Sequence, residues 1–80
     1  MSNKASRCRC WLNHYLRLNG GCANVEEVRI AAKSEGFNRA DVKTARKELD
    51  VTTYHRFDWR GEDTGEYYWF LPGKEPDFHD

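Results

Sequence analysis

The sequence predicts an α+β fold in which three helices precede a two-stranded antiparallel ribbon. Three observations predict it. Two apolar stripes at steps of three and four residues, Cys8-Trp11-Leu12-Tyr15-Leu18 and Val25-Val28-Ala32, each run up to a glycine turn. A third stripe, Val42-Ala45-Leu49, begins just after a capping asparagine, Asn38. Beyond Asp50 the period shortens from helical to strand-like, and β-branched and aromatic residues dominate.

Composition sets the bounds. Eighty residues make one domain, and a chain this short buries only roughly 60% of its unfolded surface, so its core has to be aromatic-rich. Four Phe, four Tyr and three Trp supply that core. No run of about 18 apolar residues is present to span a membrane. The opening MSNKASRCRC has basic residues but no apolar signal region, which leads us to expect a cytoplasmic protein. Cys8, Cys10 and Cys22 are odd in number and read as reduced thiols. The 13 basic and 13 acidic residues cancel, yet residues 1–60 hold 12 Lys/Arg against 7 Asp/Glu, and residues 61–80 hold 1 against 6. An anion would therefore meet a basic body with an acidic end.

In chain order, residues 1–6 read as a flexible terminus, and a first helix is expected from about Arg7 to Leu18, stopped by Asn19-Gly20-Gly21. Cys22-Ala23 forms a brief extended bridge. Asn24 caps a second helix that carries Glu26 and Glu27 in its first turn and runs to about Glu35. Ile30 falls outside the buried stripe of that helix. Gly36-Phe37-Asn38 is a tight turn in which Gly36 supplies freedom at positive φ, Phe37 plugs the core, and Asn38 caps the third helix with Asp41 at its third position. Strands are expected over Val51–Trp59 and Glu66–Leu71, joined by the loop Arg60–Gly65. Residues 73–80 read as a loosely held acidic tail.

Two helices joined by about three residues containing glycine form a helix-turn-helix, and the ribbon that follows makes it a winged one, spanning residues 7–72. From Trp11 to Pro72 the chain resembles the small winged-helix modules of plasmid, phage and mobile-element replication proteins, including those attached to replicative ATPases and primase-helicases. The resembling stretches are AKSEGF from Ala32, DVKTARKELDV from Asp41 and YYWFLP from Tyr67. The resemblance implies a DNA-binding protein acting in replication, excision or transcriptional control.

The candidate DNA contacts lie mainly on the third helix, whose N-terminal residues enter the major groove in helix-turn-helix proteins. Arg39 and Lys43 are one turn apart and suited to guanine edges or phosphates, while Asn38 and Thr44 offer neutral hydrogen bonding. Ala40 permits close approach. Arg46 and Lys47 lie further along and suit phosphate anchoring. On the ribbon, Arg56 and Arg60 are the basic candidates, among the acidic Asp58, Glu62, Asp63 and Glu66 that repel phosphate. Against this stands the ordinary reading of a solvated basic helix face.

Duplex DNA is the expected partner ahead of single strands. The aromatics Phe57, Trp59, Tyr67, Tyr68, Trp69 and Phe70 suit a core with cross-strand pairs, or base stacking. A protein partner bound through this hairpin or the acidic tail, in a replication or defence complex, is the rival reading. Cys8, Cys10, His14 and Cys22 invite zinc but lack the spacing of convergent ligands. No catalytic constellation, phosphate loop or HExxH pattern is present, so no cofactor and no enzymatic activity are expected.

Overall fold

A computed structural model describes residues 4–76. Its elements are α1 (Lys4–Leu18), β1 (Cys22–Asn24), α2 (Val25–Ser34), α3 (Arg39–Glu48), β2 (Thr52–Phe57) and β3 (Asp63–Phe70). The expectations for residues 1–3 and 77–80 lie outside the described residues. No helix among the described residues is long and apolar enough to cross a membrane.

Helix α1 starts at Lys4 rather than Arg7, which places residues 4–6 in the helix instead of a flexible terminus. Its buried stripe is Cys8-Leu12-Leu16, fully excluded from solvent. The expected stripe omitted Leu16 and included Leu18, which is 72% exposed. The cause is a rotation of the buried face. Trp11 and Tyr15 form its half-buried margin, with Trp11 5.6 Å from the Phe37 ring, and Leu18 extends past that margin. Burying Leu12 and Leu16 stabilises the fold by about 1.5–3 kcal/mol each.

The helix ends in two left-handed glycines. The Gly21 amide donates to the Leu16 carbonyl at 2.7 Å, and the Gly20 amide to Arg17 at 3.2 Å. Gly21 has φ +92, and a Cβ there would lie 2.5 Å from the Lys74 side chain.

This turn lays residues 22–24 beside the last strand, with Cys22 opposite Phe70, Ala23 opposite Trp69 and Asn24 opposite Tyr68. The expected two-stranded ribbon is therefore corrected to a three-stranded antiparallel sheet of order β1-β3-β2. The physical reason is that the Gly21 carbonyl also accepts the Leu71 amide at 2.9 Å, which zips the brief bridge onto β3. The sequence signal of three residues was too short to read as a strand. Its consequence is large, because β3 becomes central and Trp69 lies in mid-sheet, 3% exposed.

Asn24 caps α2 as expected, its side-chain oxygen accepting the amides of Glu26 at 2.9 Å and Glu27 at 3.4 Å. Val25, Val28 and Ala32 are buried, and Ile30 is 65% exposed. The Phe37 amide donates to the Ala32 carbonyl across Gly36, which has φ +85. At α3 the capping box is complete: Asn38 Oδ1 accepts the Asp41 amide at 2.9 Å, and Asp41 Oδ2 accepts the Asn38 amide at 3.1 Å. Val42 and Ala45 are buried and Leu49 half-buried. The helix closes on Asp50 at φ +55, while the Val51 amide reaches the Arg46 carbonyl at 2.9 Å. An aspartate thus occupies a left-handed position that glycine ordinarily fills.

The hairpin turns earlier than expected. Its loop is residues 58–62, and β3 begins at Asp63 rather than Glu66. Asp58 organises this loop, its Oδ1 accepting the amides of Arg60 and Glu62, both at 2.9 Å. The register shifts between His55 and Phe57, a bulge that bends the ribbon.

Candidate nucleic-acid interface

The charged side chains of α3 separate by flank. Asp41 and Glu48 point toward α1, where Lys4 lies 3.7 Å from Asp41 and Arg9 lies 3.1 Å from Glu48. Asp41 is half-buried and the other three groups are exposed, and solvent-screened pairs of this kind contribute about 1 kcal/mol or less each. Their effect on the field matters more, because both α3 carboxylates are held on the side away from α2.

The opposite flank carries Arg39, Lys43 and Arg46, spaced four and three residues apart. Together with Arg29 and Lys33 of α2 they line a groove of about 730 Å³. The groove's other lining residues are Ala32, Phe37, Asn38, Val42 and Trp69, so among the described residues no carboxylate lines it.

Arg46 joins the groove to the sheet. Its guanidinium lies 4.2 Å from the Trp69 ring centroid, and its Nη2 donates to Thr53 Oγ1 at 3.1 Å. Arg29 lies 5.8 Å from the same ring. Cation–π contacts of this kind are worth about 0.5–2 kcal/mol. Burial, and secondarily the Arg29 charge, pulls the Arg46 pKa below its ordinary value, and Arg46 Nε is buried with no hydrogen-bond partner. Two cations share one aromatic floor, which leaves the groove short of negative charge.

The residues expected to contact DNA divide accordingly. Asn38, Arg39, Lys43 and Arg46 line the groove together. Thr44 and Lys47 are exposed on the outer face of α3, beside the small Ala40. Asn38 already spends its side-chain oxygen on the cap.

The two ribbon arginines lie elsewhere. Arg56 is ion-paired to Glu66 at 3.2 Å, and Arg60 lies 3.2 Å from Asp58 and 3.5 Å from Glu62. Their charges are offset locally, and the four acids around them, Asp58, Glu62, Asp63 and Glu66, outnumber the two arginines. Asp58 is held below the usual carboxylate range chiefly by the Glu62 amide, and Asp63 by the Gly65 amide and then by His55.

Sequence reasoning missed Arg29 and Lys33. The signal was present, since they sit four apart on the polar face of α2, but only the fold shows that they line one groove with α3. Trp69 was grouped with the other aromatics, and its place under two cations depends on the third strand.

Cys8 is buried in the core, and burial together with the nearby Asp41 charge pushes its thiol up to about 11. Cys10 is exposed and Cys22 half-buried, and among the described residues no three His, Cys, Asp or Glu side chains gather as a metal site. Comparison with protein-family models, with curated protein sequences and with solved structures found no match to this chain.

Proposed function

We propose that the protein is a winged helix-turn-helix that binds duplex DNA through α3 and the groove between α2 and α3. The observation that carries this reading is the groove itself: five cations, from Arg29 to Arg46, and, among the described residues, no carboxylate in its lining. A neutral chain has no general reason to gather cations this way, and the pairing of Asp41 and Glu48 with α1 keeps the field unopposed. Phosphates neutralised by such cations release counterions, which makes binding strongly salt-dependent.

In this reading α3 lies in the major groove. Arg39 and Lys43 reach phosphates or guanine edges near its N-terminus, Thr44 offers neutral hydrogen bonding, Ala40 allows close approach, and Lys47 anchors phosphate. Arg29 and Lys33 hold the flanking backbone from α2. The biological setting that fits is replication, excision or transcriptional control in a plasmid, phage or mobile element.

The test is fluorescence-anisotropy binding of labelled duplex DNA across a salt series, with the intact chain and with the double variant Lys43→Glu/Lys47→Glu. The intact chain should bind at low salt, and the variant should lose at least about tenfold. Undiminished binding by the variant would remove α3 as the main contact.

A further inference from the structure

The face of the sheet that meets α3 does not stop at Trp69. Thr53 and His55 pair with Trp69 and Tyr67, and side chains two residues apart on a strand share a face. Thr53, His55, Tyr67 and Trp69 therefore lie on one side of the ribbon, the side on which Arg46 bonds Thr53 and covers Trp69. The helices cover only the Trp69 end. Further out, His55 stacks on Tyr67 at 4.3 Å with an interplanar angle of 20°, and its ring lies 4.6 Å from that of Phe57. His55 is half-buried, while Phe57 is 50% and Tyr67 44% exposed, and Trp59 at the loop is 79% exposed.

A cationic groove that runs into a row of solvent-facing rings is the arrangement that holds single-stranded nucleic acid, with cations tracking the backbone and rings stacking the bases. Four acids border the row: Asp63 bonds His55, Glu66 pairs with Arg56, and Asp58 and Glu62 share Arg60. The rings are also held in place, since His55 is fixed by Asp63 on one side and by Tyr67 beneath, so little ordering entropy is lost when a base docks.

We infer that Tyr67, His55 and Phe57 form a stacking platform for unpaired bases, so that the protein prefers a duplex carrying a single-stranded overhang to a blunt duplex. The inference rests on the reading of the α2–α3 groove as the duplex contact, and it names the DNA structure that the whole surface fits. The duplex occupies α3 and the groove, and the unpaired strand leaves it along the wing. The cations at one end of the row favour nucleotides over a protein surface.

The experiment compares equimolar blunt duplex and the same duplex with a short overhang, binding to the full chain, with 2-aminopurine placed in the overhang. Wild type should bind the overhang substrate about tenfold more tightly than the blunt one, and the 2-aminopurine fluorescence should be quenched on binding. Tyr67→Ala and Phe57→Ala should each lose most of that preference and the quench while keeping blunt-duplex affinity, and Tyr67→Trp should retain both. Because blunt-duplex binding reports folding and the groove separately, a variant that merely unfolds is recognised by its loss of both. Equal binding of the two substrates by wild type, without quenching, overturns the platform and leaves the groove reading standing. Failure to bind either substrate at low salt overturns both.

Discussion

Neutralising Lys33 distinguishes the groove from an ordinary basic recognition helix. Lys33 is on α2, exposed, and outside the helix that sequence alone would credit, yet it lines the same groove as Lys43. Arg46 is already engaged by Trp69 and Thr53, which leaves Arg29, Lys33, Arg39 and Lys43 in the groove, and Lys47 on the outer face, to meet phosphates. If about five phosphates are neutralised, the slope of log K against log salt is about −4.5, a loss of roughly 500-fold between 50 and 200 mM salt. Lys33→Ala removes one contact and should flatten the slope by about 0.9. It should also weaken binding similarly on unrelated DNA sequences, because a phosphate contact carries no sequence information. Anisotropy titrations at four or more salt concentrations measure this slope directly. An unchanged slope for Lys33→Ala, with a reduced slope for Lys47→Ala, would refute the groove and return the contact to the outer face of α3.

Three further outcomes follow from the fold. Leu16→Ala should cost about 2–5 kcal/mol in urea unfolding, whereas Leu18→Ala should stay within about 0.5 kcal/mol, since the first is fully buried and the second 72% exposed. Asp50→Gly should raise stability by about 0.5–1 kcal/mol in the same assay, because a left-handed φ of +55 is costly for a residue with a Cβ. The hairpin should resist mild acid. The pKa values of Asp58 and Asp63 are depressed in the fold, so the order they confer is complete above the unfolded value of about 3.8 and is lost as pH falls through their lower folded values. Amide signals of residues 58–65 followed by NMR should hold from pH 7 to about 4 and weaken only below; loss near pH 6 would contradict this.

Much of the fold was legible in the chain because local signals agreed with one another. Asn24 and Asn38 cap where the stripes begin, Gly36 takes the left-handed turn, and Val42 and Ala45 go inward. These are short-range preferences that need no knowledge of neighbours. Where a long-range contact decided the outcome, the sequence was silent. The burial of Leu16 in place of Leu18 is the exception, since Cys8, Leu12 and Leu16 lie four apart and the spacing itself carries that stripe. The third strand depends on Gly21 meeting Leu71, which lies 50 residues on. The candidate site shows the same division. The basic face of α3 can be read from spacing, but the contribution of Arg29 and Lys33 needs the fold that brings α2 and α3 to one groove, and the ring row of His55 and Tyr67 needs the strand register.

The central claim is that nucleic acid lies on the α2–α3 side of the molecule. Titrating duplex DNA into the 15N-labelled chain tests it most directly, by the map of amide shift changes. The account predicts the largest changes at Arg29, Lys33, residues 38–47 and the Arg46–Thr53 junction, with Lys4 to Arg17 on α1 little affected. Changes concentrated on α1, or on the acidic residues 62–76, would contradict it.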